Sequence, residues 1–131
     1  MVFVDISAWF AFFTPIDADH HRMRSCLLAS APPLVTTDYC VDETLTLLLA
    51  RRELRRALEA GREFFNGNLA QLQFISAAQI HRAWILFQRR AAAGWSFTDC
   101  TSKIVMDDLS ITAAIALDDH FRQFGDVTVL P

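Results

Sequence analysis

Short apolar runs alternate along this chain with longer stretches of helical spacing. Val2-Phe3-Val4 is apolar, rich in β-branched residues and ends at Asp5, which predicts a buried strand. Ser7 is placed to cap a helix through Trp9 to Phe13 that stops near Pro15. A second helix follows Asp17, with Met23, Leu27 and Leu28 facing inward, and Ala31-Pro32-Pro33 breaks it. Leu34-Val35-Thr36 forms a second strand, after which Thr37 or Asp38 caps a helix carrying Val41, Leu45, Leu48 and Leu49. Another helix runs from about Glu53 to Phe65 and ends at Asn66-Gly67-Asn68.

The second half repeats the pattern. Leu72-Gln73-Phe74-Ile75 alternates as a third strand. A long helix spans Ala77 to Ala93, with Ile80, Trp84 and Phe87 inward and Gly94 as its terminator. Thr98 caps the next helix, which holds Ile104, Val105 and Met106. The run Thr112 to Leu117 reads as a central strand, and Val127 to Leu130 as the last one. Strands alternating with helices mean an α/β fold, a parallel sheet covered on both faces.

Composition narrows the possibilities. A chain of 131 residues suits a single domain over 1–131. Its 53% hydrophobic content excludes disorder and leaves apolar surface for an oligomer or a partner. The net charge of -3 gives no global basic field to draw in nucleic acid. Lys103 is the only lysine, so the basic residues are almost all arginine, the better bidentate phosphate ligand; compositional bias explains this equally well. The three cysteines, Cys26, Cys40 and Cys100, have no C-x-x-C spacing, which argues against zinc or a disulfide framework and for a reducing cytosol. The N-terminal MVFVDISAWFAFFTP lacks a basic leader and is interrupted by Asp5, and no later run of about 20 apolar residues could span a bilayer. The expectation is a cytoplasmic, soluble protein with no membrane partner.

Four acids then stand out. Asp5 and Asp118 follow strand-like runs, while Glu43 and Asp99 lie near the starts of helical runs. In a parallel sheet both kinds of position fall at the carboxyl ends of the strands, so all four can meet at one rim. Each has a plainer reading. Asp99 fits an acid at the positive end of a helix, Glu43 an exposed helix residue, and Asp118 a solvated loop with Asp119. Asp5 is harder to explain so, because an acid between two apolar segments needs a partner or a metal. Two like charges about 4 Å apart repel by roughly 4 kcal/mol at an effective dielectric of 20, a conflict that a divalent cation resolves. Oxygen ligands favour Mg2+ or Mn2+. The adjacent His20 and His21 diverge on a helix, His81 reads as surface or core edge, and contact of His120 with the site is the lesser of its readings.

In order along the chain, Asp5-Ile6-Ser7, Thr36-Thr37-Asp38-Tyr39 with Glu43, Ser96-Phe97-Thr98-Asp99 with Ser102, and Asp118-Asp119-His120-Phe121 form an ordered set. This set resembles the PIN-domain nucleases, especially the VapC-like toxins of bacterial toxin–antitoxin pairs, over nearly the whole chain. Ala116 departs from it, standing where relatives commonly carry threonine. The resemblance implies a PIN-like three-layer α/β/α sandwich around a mostly parallel sheet of four to five strands. It implies a metal-dependent endoribonuclease with Mg2+ or Mn2+ held by Asp5, Glu43, Asp99 and Asp118, the register favouring Asp118 over Asp119 and Glu43 over Asp42. Ser7, Ser102 and Asp119 would support those acids from behind, although Ser7 fits a plain cap equally well. Arg51, Arg52, Arg55 and Arg122, with Arg56, Arg89 and Arg90 nearby, are candidates for tracking an RNA backbone; the alternative is a solvated face paired with Glu53, Glu59 and Glu63. The implied partners are an RNA substrate, a cognate antitoxin lying near Trp9, Phe12 and Phe13, and a second copy of the chain in a homodimer.

Competing classes fit less well. A phosphatase with a strand-end aspartate nucleophile wants a second aspartate where Ser7 stands, and a receiver domain wants a lysine after a late strand, which Lys103 is not. An RNA-processing nuclease without a toxin role, or a non-catalytic RNA- or protein-binding module, remains as the alternative. The target RNA stays open.

Overall fold

The computed structural model describes residues 1–30 and 32–131. Five strands form one sheet: β1 (Val2–Val4), β2 (Leu34–Thr37), β3 (Gln71–Gln73), β4 (Ala113–Ile115) and β5 (Thr128–Leu130). Their order is β3-β2-β1-β4-β5 and every pairing is parallel, as the alternation of strands and helices predicts. The helices are α1 (Ile6–Phe13), α2 (His20–Ala29), α3 (Asp38–Ala50), α4 (Leu54–Phe65), α5 (Ala77–Arg90) and α6 (Phe97–Asp108). Two 3-10 turns, Ala91–Ala93 and Asp119–Phe124, complete the described elements.

The pleat sorts side chains to two cores. Val2, Val4 and Ile115 face a cluster built on Trp9, Met23, Leu27, Leu48 and Phe64, under α1 to α4. Phe3, Val35 and Ala114 face the other, with Ala83, Cys100, Ile104, Met106 and Phe121. Strands buried on both faces are near-continuous apolar runs for this reason. The result is a three-layer α/β/α sandwich, as expected. A buried polar link fixes α1 on the sheet: the Trp9 indole donates to Thr36 Oγ1 at 3.1 Å, and that hydroxyl donates to the Val4 carbonyl at 3.0 Å.

Several expected boundaries move. Asp5, not Ser7, caps α1, accepting from the Ser7 amide at 3.1 Å. Ser96, not Thr98, caps α6, while Thr37 rather than Asp38 caps α3. The four-residue and six-residue strand runs at Leu72 and Thr112 shorten to three residues each. The long helix leaves α geometry at Arg90 and ends in the Ala91–Ala93 turn, where Gly94 takes a φ of +90° that favours glycine. Trp84 is 50% exposed instead of inward, and Leu28 and Leu49 are exposed as well. Only Ala83 of α5 is fully buried, while Phe87 packs half-buried on the second core as its spacing predicts and Trp84 does not. Of the expected break after α2, Ala31 lies outside the described residues.

β1 is the point where strand order reverses: β2 and β3 extend to one side, β4 and β5 to the other. Open α/β sheets place their sites at such a switch, beyond the strand carboxyl ends. The Asp5 amide donates to the Ile115 carbonyl at 3.0 Å, which pins the ends of β1 and β4 together there.

Candidate active site

Asp5 is buried at that junction. Its Oδ2 accepts from the Ser7 amide and, at 2.7 Å, from the Ser7 hydroxyl. The same hydroxyl accepts from the Leu117 amide at 2.9 Å, so Ser7 ties the aspartate to the segment leaving β4. Asp5 Oδ1 has no partner, one of two such buried side-chain atoms among the described residues. Burial pushes the carboxyl up to about 7 against the pull of the Ser7 hydrogen bonds, and the charges of Asp99 and Asp118 push the same way.

Asp99 lies in the first turn of α6, within a reciprocal cap. Its Oδ2 accepts from the Ser96 amide at 2.8 Å, while Ser96 Oγ accepts from the Asp99 amide at 3.0 Å. Asp118 turns the chain after β4, its Oδ1 accepting from the His120 amide at 2.8 Å. His120 Nδ1 then sits 2.9 Å from Asp99 Oδ2 and 3.0 Å from Asp118 Oδ1. One ligand atom from each of Asp99, Asp118 and His120 lies within 4.8 Å of the others. His120 is thus part of the cluster, against its lesser weighting in the sequence. The Asp-x-His spacing of a tight turn is the signal that could have found it.

Glu43 is half-buried on α3, outside the tight group. Its carboxyl is raised by burial, with Asp99 and Asp42 adding to the rise and Thr98 opposing it. Asp42 beside it is exposed, which separates the two acids that the sequence leaves adjacent. Both Glu43 and Asp42 line a groove of about 310 Å³ with Ile6, Thr46, Leu47 and Ala50. Asp119 points to solvent, its side chain 90% exposed and 3.8 Å from Arg122, away from the cluster. Ser102 is buried between α6 and α3, its hydroxyl 3.7 Å from Cys40 Sγ. Burial holds the Cys40 thiol up at about 12 and the Cys100 thiol at about 11, so neither supplies a thiolate nucleophile or ligand near neutral pH.

Of the candidate arginines, Arg122 lies in the turn that carries His120, and Arg51, Arg52, Arg55 and Arg56 sit elsewhere. Arg51 and Arg52 follow the carboxyl end of α3, about 12 Å along the helix from Glu43. Arg51 lies over the Phe10 ring at 5.6 Å. Arg52 and Arg55 are exposed, and Arg56 pairs with Glu53 at 3.0 Å. Among the described residues no helix is long and apolar enough to cross a membrane.

The donor set fits a divalent cation. Ligand atoms of Asp99, Asp118 and His120 converge, and nearby the buried Asp5 Oδ1 lacks any proton donor, which leaves its lone pairs for an ion.

No family model matches the chain. It is 36% identical to the 23S rRNA-specific endonuclease VapC20 of Mycobacterium tuberculosis, strain H37Rv, across all of this chain and 99% of the relative. To Ribonuclease VapC26 of the same strain it is 27% identical, across 98% of each. The crystal structure of VapC20, described as a sarcin–ricin-loop-cleaving toxin, superposes with a TM-score of 0.92 at 30% identity and covers both chains completely. Identity of 36% over the full chain, with a solved structure matching at a TM-score of 0.92, means that the chain belongs to the VapC-like family of PIN-domain ribonuclease toxins.

Proposed function

We propose that this protein is a divalent-cation-dependent endoribonuclease, formed by a single PIN-like domain over residues 1–131, that acts as the toxin of a toxin–antitoxin pair in the cytoplasm. Asp5, Asp99 and Asp118 hold Mg2+ or Mn2+, with Glu43 completing the set. The observation that carries this reading is the orphaned, buried Asp5 Oδ1 beside two further carboxylates. Leaving such an oxygen unpaired costs about 1–3 kcal/mol without a compensating ion.

The bound ion would acidify water and counter the charge that builds on the phosphoryl oxygens. The chain's own groups do the rest. Ser7 holds Asp5 Oδ2 and leaves Oδ1 free. Ser96 aims Asp99, and the turn at His120 aims Asp118. The raised Glu43 carboxyl, facing the groove, is placed to accept a proton from water attacking the phosphodiester. Because VapC20 is named for 23S rRNA and its sarcin–ricin loop, the same rRNA is the first substrate to test here. An antitoxin segment would lie near Trp9, Phe12 and Phe13, where Trp9 and Phe12 line a groove of about 250 Å³ with Leu27, Leu28 and Leu69. A homodimer accords with exposed Trp84, Ile85 and Phe74.

Purified protein incubated with ribosomes and Mg2+ or Mn2+ should yield a discrete 23S rRNA fragment, mapped by primer extension. Chelator or Asp99→Asn should abolish it. Cleavage that persists under either condition would remove the ion or the acid from the mechanism. Intact 23S rRNA alongside cleavage of another RNA would retain the nuclease and discard the substrate.

A further inference from the structure

We propose that His120 is itself a ligand of the cation, its Nδ1 joining Asp99 and Asp118 in a mixed nitrogen–oxygen set that favours Mn2+ over Mg2+. The inference rests on the reading that this site holds a divalent ion. It adds a ligand type that the four-acid pattern lacks.

Without an ion the ring hydrogen-bonds Asp99, and the same spacing suits ligands around one ion. Nδ1 stands 2.9 Å from Asp99 Oδ2 and 3.0 Å from Asp118 Oδ1. In a six-coordinate ion with bonds of about 2.1 Å, neighbouring ligand atoms lie about 3.0 Å apart. The two oxygens do not depend on the ring for a hydrogen bond. Asp99 Oδ2 already accepts from the Ser96 amide, and Asp118 Oδ1 from the amide of His120 itself. The imidazole can therefore present its lone pair at Nδ1 as the Nε2–H tautomer.

The fold also holds the ring in place. Phe121, next in the chain, is fully buried and stacks on Phe3 with centroids 6.0 Å apart. On the far side of the imidazole is Gly94, where a Cβ would come within 3.4 Å of Nε2. A separate observation points to an ion: Asp5 Oδ1 is buried, lacks a donor and belongs to a carboxyl that feels both Asp99 and Asp118. Imidazole nitrogen favours transition metals over Mg2+, which binds oxygen almost exclusively.

The test is pulsed electron paramagnetic resonance on the Mn2+-loaded protein, with calorimetric titration of Mn2+ and Mg2+. The expected spectrum shows coupling to a directly bound 14N nucleus. In His120→Ala that coupling disappears and Mn2+ affinity falls by at least about tenfold, while Mg2+ affinity changes little. Bound Mn2+ without nitrogen coupling overturns this inference alone and leaves the acids as the site. Failure of the native protein to bind either ion overturns both readings. If His120→Gln, which keeps a hydrogen-bond donor, retains the native Mn2+ affinity and preference over Mg2+, the ring only positions carboxylates and the inference is wrong. Should His120→Ala not fold, by circular dichroism, the native spectrum decides the matter.

Discussion

Asp5 carries a sign that can be measured. Its folded value of about 7 lies above the ordinary 3.8, because burial disfavours the charged form. The folded chain therefore binds more protons than the unfolded chain between those values. Stability contributed by the neutral carboxyl is fully present below about pH 4 and is lost as pH rises through 7. The whole loss is at most about 4 kcal/mol. Glu43 is raised also and adds to the trend, whereas the lowered carboxyl of Asp108 changes stability only below its ordinary 3.8, outside this range. Calorimetry without divalent ions should show Tm falling from pH 5 to pH 8. Asp5→Asn should flatten that fall and be more stable than the native chain at pH 8. Added Mn2+ should restore the native Tm at pH 8 and leave Asp5→Asn unmoved, since binding only to the folded state stabilises it. A native Tm that climbs over this range would contradict the buried acid.

Ser7 is where a helix and a strand meet through one hydroxyl. It donates to Asp5 Oδ2 at the start of α1 and accepts from the Leu117 amide just past β4. Ser7→Ala removes both bonds and should cost about 1–3 kcal/mol, read by urea unfolding. Losing a hydrogen bond that favours the carboxylate also raises the Asp5 value further, so the rise of cleavage with pH should shift to higher pH. A variant that loses stability with an unmoved pH profile would make Ser7 a packing residue only. This junction also shows what the sequence discloses. Strand-end acids and first-turn acids are legible, because a parallel sheet sends both kinds to one rim; Asp99 and Asp118 gather there, and Asp5 lies near enough to feel both charges. Caps are less legible. Asp5 and Ser7, like Ser96 and Thr98, are all competent cap residues two positions apart, and only the hydrogen bond chooses between them. His120 is hard to read because a turn, not a periodic element, delivers it to Asp99 across 21 residues. The inner face of α5 is only partly given by its sequence period: Phe87 packs on the core, but Trp84 stays exposed and Ala83 makes the burial.

The whole molecule sets a harder electrostatic problem, since a chain of net charge -3 must hold a polyanion over a cluster of carboxylates. The parallel sheet helps, because α1, α3 and α6 all start at the rim and turn the positive ends of their dipoles toward it. Local cations must supply the rest. Arg56 is committed to Glu53. Arg51 and Arg52 at the turn between α3 and α4, and Arg55 in the first turn of α4, are exposed and without an ion pair among the described residues. They lie a helix length from the acids, so they can engage a phosphate several nucleotides from the cut and not the scissile one. Neutralising the three to glutamine should therefore weaken RNA binding and lower its salt dependence, by about 0.7 in the log–log slope for each single-strand phosphate no longer neutralised. Cleavage at saturating RNA should be unchanged, because no arginine of that turn reaches the carboxylates. Fluorescence anisotropy of a catalytically silent Asp99→Asn protein across a salt series measures the first effect, and single-turnover cleavage the second. An unchanged slope would return these arginines to a solvated helix face. A slower single turnover would mean that the RNA bends back across α3 and brings this cluster to the reacting phosphate.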